Sequence, residues 1–189
     1  MVDADADVPD LHRLVGLTPE PTTDALVRQG VAQVARQPAS LPGVAVVPAG
    51  SRERLPRALD RAREWHGPVL VDCPAGCGED VAAPLRRADR SLLVTTDRPQ
   101  SREDARKTGR LARRLGAEPV GTAVRLTGDG RSRSSPRRSP EPVLARVPSA
   151  ADPLLDPRVE AACGRLAARL APERPDGRPA GSASGHSTG

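Results

Sequence analysis

The chain has 189 residues, enough for one domain that buries roughly 70% of the surface its unfolded form would expose. Phe and Tyr are absent and Trp65 is the sole aromatic residue, which excludes a face that stacks bases on aromatic rings, as the common single-strand RNA modules do. Net charge is +5, and the 37% of hydrophobic residues form no run near the ~20 needed to span a bilayer, so without a visible secretory signal a soluble, cytoplasmic protein is expected.

Short β-branched runs alternate with longer stretches of helical period, the pattern of an α/β fold with a mostly parallel sheet flanked by helices. The chain opens on Val2-Asp3-Ala4-Asp5, followed closely by Asp10-Leu11. A helix is expected from Thr23 to Arg36, a strand over Val44–Val47, and a helix from Glu53 to Trp65 with Pro56 in its first turn. The strand Val69–Val71 runs into Asp72-Cys73-Pro74-Ala75-Gly76, a carboxylate and a Pro/Gly turn at the carboxyl end of a buried strand, where open α/β sheets bind ligands.

A helix over Glu79–Arg87, with Pro84 in its first turn, leads to the strand Ser91–Thr95. The helix Ser101–Leu115 carries Ser101 and Asp104 in capping-box spacing and an inner face of Ala105, Thr108, Leu111, Ala112 and Leu115. Strands follow at Val120–Leu126 and Val143–Val147. Asp156 caps a last helix with Pro157 in its first turn and an apolar stripe of Val159, Ala162, Cys163, Leu166 and Leu170. One domain is therefore expected over 1–171. Its interruption at 128–140 is rich in Arg, Ser and Pro, and the tail 172–189 is rich in Gly, Ser and Pro; neither composition supports a packed core, and both are expected to be disordered. Arg131, Arg133, Arg137 and Arg138 place more than half the net charge in the interruption, so nucleic-acid binding through that loop is a minor rival reading. The odd set of Cys73, Cys77 and Cys163 reads as free thiols, and His12, His66 and His186 read as surface residues without metal spacing.

Together these motifs resemble the MinD/ParA family of P-loop ATPases, most closely its archaeal MinD-like members. Asp3 and Asp5 match the family's D-x-D at a strand end, and Asp10-Leu11 the polar-Leu pair after it; Asp72, Pro74 and Gly76 match D-x-P-x-G. Ala88-Asp89 before Leu92-Leu93-Val94-Thr95-Thr96 is similar to the A-D and V-T-T segment, and Val147-Pro148 to the loop beside the purine. The resemblance implies ATP and Mg²⁺ as cofactors, with Asp5 positioning the attacking water and Asp3 and Asp72 acting around Mg²⁺ through water. It also implies that Pro74, Gly76 and Pro148 bind the nucleotide, with Gly76 sensing the terminal phosphate. A nucleotide-dependent homodimer, a protein partner and a task in cell division, partitioning or spatial regulation follow in the same way. The bland alternative is that Asp3 and Asp5 form a solvated end and Asp72 caps a turn.

The family's K-G-G-x-G-K-T loop, whose backbone N–H groups and lysines hold the phosphates, has no counterpart here. Lys107 is the only lysine and lies within a helical stretch. The first strand, phosphate loop and first helix are expected to be missing, through a truncated gene or a misplaced start. Three expectations follow: no ATP hydrolysis by this chain alone, a sheet weakened by an absent central strand, and an unstable or aggregation-prone isolated chain. Arg125-Leu126 stand where the family often has Asn-Arg at the base. A non-enzymatic scaffold of the same fold is the alternative.

Overall fold

A computed structural model describes residues 1–128 and 141–171, so the expectations for the basic interruption and the tail fall almost wholly outside the described residues. The fold is α/β with parallel strands, as the alternation of runs implies, but the strands form two separate sheets.

The first sheet is built from very short pieces. Strand β1 (Val2–Asp3) pairs in parallel with β2 (Val71–Asp72), with Val2 opposite Val71 and Asp3 opposite Asp72. On the other side of β1, Val47 forms a parallel bridge to Val2, and Arg36 closes the outer edge antiparallel to Val46. The strand expected over Val44–Val47 is thus reduced to two bridges, beside a β1 that is itself only two residues long. Four backbone bonds fix β1: Val2 N–H to Leu70 O at 2.8 Å, Ala4 N–H to Asp72 O at 2.8 Å, Asp3 N–H to Val47 O at 3.0 Å and Val47 N–H to Met1 O at 2.9 Å.

The helix expected from Thr23 to Arg36 is broken in two, α2 (Thr23–Leu26) and α3 (Val31–Val34). Gly30 is the extended N-cap of the second piece, which reduces the expected run to one turn on either side. A single turn, α1 (Leu11–Leu14), precedes them and lay outside the sequence-based expectations. Helix α4 (Leu55–Ala62) has Pro56 in its first turn, as expected, and buries Leu55, Ala58, Leu59 and Ala62, an i, i+3, i+4, i+7 stripe. That stripe packs with Val2, Ala4, Leu26, Val34 and Val47 into the larger apolar core.

The second sheet has order β3-β4-β5, all parallel: β3 (Ser91–Thr96), β4 (Pro119–Arg125) and β5 (Val143–Val147). Gly121 sits beside a register shift in β4, where a Cβ would lie 2.4 Å from Leu144 Cγ and 2.8 Å from the Pro142 carbonyl; only glycine lets β5 approach there. Helix α6 (Pro99–Arg114) packs on β3 and α7 (Pro157–Leu170) on β5.

Several local expectations need correction. Helix α6 starts at Pro99 with Arg98 extended before it, and no side chain caps it; the capping box at Ser101 and Asp104 does not form because proline at the first helical position already sets the start two residues earlier. Its inner face does form, with Gly109 and Ala112 buried and Ala105, Thr108, Leu111 and Leu115 half-buried. In α5 (Glu79–Leu85), Pro84 lies near the end, because the helix begins directly after Gly78 and is only seven residues long. Asp156 caps α7 as expected, its side chain accepting from Arg158 N–H at 2.8 Å; Val159 and Ala162 are buried, but Cys163 is exposed, so the stripe is narrower than the sequence implies.

Candidate functional site

The carboxyl ends of β1 and β2 gather the acidic residues. Asp3 is the last residue of β1 and only 1% exposed, so its carboxylate must find donors inside the protein. It accepts from Asp5 N–H at 3.0 Å and Leu11 N–H at 3.3 Å, which pins the loop leading into α1 over the strand end. Asp5, half-buried, accepts from Asp7 N–H at 3.2 Å and Val8 N–H at 3.0 Å and so folds the following turn around its own side chain. Asp72 ends β2 beside Asp3 in the parallel register.

The electrostatics are one-sided. Burial, opposed in part by its two backbone donors, pushes the Asp3 carboxyl above the usual range, with Asp10 and Asp5 adding to the rise. Burial of one flank, then the charges of Asp3, Asp10 and Asp5, push the Asp72 carboxyl up as well, although the residue as a whole is open to solvent. Among the described residues no salt bridge involves Asp3, Asp5, Asp10 or Asp72. The end of this sheet thus gathers four carboxylates, and the raised carboxyls of Asp3 and Asp72 have no salt bridge among the described residues to offset the cost of their ionisation.

Hard oxygen donors of this kind fit a Mg²⁺ ion held through its water shell, but the described residues contain no group of three metal-ligating side chains close enough to form a closed cage.

Beyond β2 the turn Cys73–Cys77 curls back with Gly76 at φ +120°, a conformation open to glycine, with no atom within 4 Å of where a Cβ would sit. The Gly76 carbonyl accepts from Thr108 Oγ1 of α6 at 3.0 Å, so a helix of the second sheet anchors the turn that leaves the first. Burial, with Asp72 adding to it, raises the Cys73 thiol to about 12, which leaves it without nucleophilic character at neutral pH.

A cleft of about 120 Å³ opens beside the acidic end. It takes in Asp5 and Pro74 of the residues singled out in the sequence, and adds Asp7, Arg52, Glu79 and Asp80. Arg52 pairs with Asp7 across its mouth. Asp3, Asp72 and Gly76 lie outside that lining, and Pro148 follows β5 at the carboxyl end of the other sheet. The structure therefore brings Asp3, Asp5 and Asp72 together and leaves Pro148 on a separate sheet. Sequence reasoning missed Arg52, Glu79, Asp80 and the anchoring role of Thr108. The pair of acids directly after Gly78 was a visible signal, whereas nothing near Arg52 or Thr108 marks them. His12, read as a surface residue, is instead a buried residue of α1, 8% exposed, with Nδ1 lacking a hydrogen-bond partner among the described residues.

No family model matches the chain. It is 29% identical over 134 residues to an uncharacterized ATP-binding protein of Methanocaldococcus jannaschii, a match covering 66% of this chain and 51% of the relative; the chain spans about half the length of that relative. Among solved structures it is similar to the cell division ATPase MinD of Pyrococcus furiosus (TM-score 0.68, 21% identity, 89% of this chain and 83% of that one). It is likewise similar to the septum site-determining protein MinD of Pyrococcus horikoshii complexed with Mg-ADP (TM-score 0.73, 18% identity, 88% of this chain and 80% of that one). The fold is that of the MinD/ParA-type P-loop ATPases. Among the described residues no helix is long and apolar enough to cross a membrane.

Proposed function

We propose that this chain carries the water-positioning and magnesium-facing half of a MinD/ParA-like ATP hydrolase site, and that it does not hydrolyse ATP without a phosphate-binding loop supplied from outside its 189 residues. The observation that carries this reading is the convergence of Asp3, Asp5 and Asp72 at the carboxyl ends of two paired parallel strands, with no salt bridge to any of the three among the described residues. Asp5 holds the attacking water. Asp3 and Asp72 would hold a Mg²⁺ ion through its waters, and that ion would supply positive charge to the phosphates. Gly76, free of any side chain, lets its backbone approach the terminal phosphate, while Pro74 stiffens the turn and Pro148 borders the base. The site is expected to work in a nucleotide-bound homodimer that engages a protein partner in cell division, partitioning or another form of spatial regulation.

The test has two arms. Calorimetric titration of the 189-residue chain with Mg-ATP is expected to show no saturable binding tighter than about millimolar, because no backbone cradle or lysine meets the β- and γ-phosphates. A chimera in which the strand, phosphate loop and first helix of the P. horikoshii MinD precede Met1 is expected to hydrolyse ATP, with Asp5→Asn lowering kcat by at least about tenfold. Micromolar binding by the chain alone overturns the dependence on the loop. A folded chimera without turnover favours the second reading, a non-enzymatic scaffold of the same fold. That reading draws its support from the lack of any G-K-T stretch in the sequence.

A further inference from the structure

The cleft of about 120 Å³ beside the acidic end is built where three segments meet: the loop after β1, the start of α4, and the turn after β2 with the α5 that follows it. Its walls are apolar and include Ala4, Leu55, Pro56, Pro74 and Ala83. Its ionisable lining is Asp5, Asp7, Glu79 and Asp80, with Arg52 the single cation among the lining residues. Asp7 is paired with Arg52 and Glu79 with Arg86, whereas Asp5 and Asp80 make no salt bridge among the described residues. Two carboxylates on an apolar cleft are therefore left without a counter-charge.

Size, charge and wall chemistry together narrow what fits. A cavity of about 150 Å³ takes benzene, so this cleft takes an apolar body of about five heavy atoms, well short of a drug-sized ligand. Among the described residues no three metal-ligating side chains lie close enough to share one ion, so the negative charge is spread over the lining and suits a cation with length better than a point charge. The chain itself supplies an example of that chemistry. The Arg52 guanidinium, carried on the segment before α4, hydrogen-bonds to Asp7 at the cleft mouth. Its side chain is 52% exposed and that of Asp7 66%, and an exposed pair of this kind opens readily.

We infer that this cleft binds a small organic cation, a short alkyl chain ending in a guanidinium or ammonium group. The chain lies on the apolar walls around Leu55, Pro56 and Pro74, where its burial removes apolar surface from water on both sides. The cationic head meets Asp5 and Asp80, and a guanidinium has the planar fork of donors that carboxylates accept from most strongly. The head competes with Arg52 for the same carboxylates. The site shares Asp5 with the hydrolase reading but needs neither nucleotide nor magnesium, so the two stand or fall separately.

The probe is butylguanidinium, added without nucleotide to the full chain at low salt and followed by the methyl NMR shifts of Ala4, Leu55 and Ala83. Saturable shifts with a dissociation constant in the millimolar range are expected. Butanol, the bare guanidinium ion and Mg²⁺ each supply one half of the chemistry and are expected to bind at least about tenfold more weakly. Asp80→Asn is expected to weaken binding about fivefold by removing a charged acceptor, and Arg52→Ala to tighten it several-fold by removing the internal competitor. Ala83→Leu is expected to abolish binding by filling the cleft, with the circular dichroism of the chain unchanged. If the chain alone precipitates, refolding with butylguanidinium is expected to raise the soluble fraction above that reached with butanol or guanidinium. Absence of both saturable shifts and a solubility gain overturns the inference. So does equal binding by Mg²⁺ or bare guanidinium, the mark of a plain acidic surface, or an affinity that Arg52→Ala leaves unchanged. A blocked Ala-Arg-Ala peptide that binds at least tenfold more tightly than butylguanidinium also overturns it, and assigns the cleft to a side chain of another protein.

Discussion

Asp3 in the first sheet and Glu141 in the second are both nearly removed from solvent, at 1% and 3% exposure, yet their surroundings are opposite. Glu141 meets the Arg113 guanidinium at 2.8 Å, and Arg113 also reaches Glu118, so the charge is neutralised within the chain. Asp97, buried at the end of β3, is likewise tied to Thr127, whose N–H and hydroxyl donate to it at 3.2 and 2.6 Å. Asp3 has backbone donors but carboxylate neighbours. A buried acid with its counter-charge supplied reads as structure, and one whose counter-charge is missing reads as a place where something else binds. The two sheets differ in how they cohere as well. The first has two-residue strands and depends on apolar burial beneath α4, while the second has strands of five to seven residues and a smaller cluster around Val81, Leu85, Ala112 and Ala117.

The sharpest break of that comparison is Leu26→Ala. Leu26 is fully buried in the core under the first sheet, and its truncation is expected to cost about 2–5 kcal/mol, with hydrogen-exchange protection lost across β1 and β2 before β4; equal loss in both sheets would refute the division. Glu141→Gln should cost about 2 kcal/mol in urea unfolding, because a hydrogen bond between charged groups is replaced by a weaker one beside Arg113. Thr108→Val keeps the shape and removes the donor to Gly76, a loss of about 1 kcal/mol whose clearest sign is faster exchange in the turn Cys73–Cys77.

The smallest effect has the opposite sign. Asp72→Asn is expected to stabilise the chain at pH 7, by less than about 1 kcal/mol given the openness of the residue. A carboxyl raised in the folded state favours folding below its unfolded value near 3.8 and loses that contribution as pH rises through the folded value. The advantage of the variant should therefore vanish near pH 3.5 and reach a plateau above the raised value. A constant difference across pH would show that the neighbouring charges are not its cause.

Much of this architecture was legible in the residues. The class, the strand Val143–Val147, the cap at Asp156 and the first-turn place of Pro56 in α4 all follow from period and composition, which act over a few residues. The acidic motifs Asp3, Asp5 and Asp72 stood out because a carboxylate after an apolar run has few structural uses. The fragmentation of 23–36 at Gly30, the late position of Pro84 and the burial of His12 did not stand out, since each depends on what the segment packs against.

Sequence by itself determined that this is a parallel α/β protein with carboxylates at strand ends and no phosphate-gripping loop among its residues, because pattern and motif are written locally. Only the tertiary structure decided that Asp3, Asp5 and Asp72 share one end of one sheet, that Arg113 answers Glu141 while no salt bridge among the described residues answers Asp3, and that the strands divide into two sheets. Those facts depend on which strands lie side by side, and adjacency in a parallel sheet is set by crossovers between segments far apart in the chain.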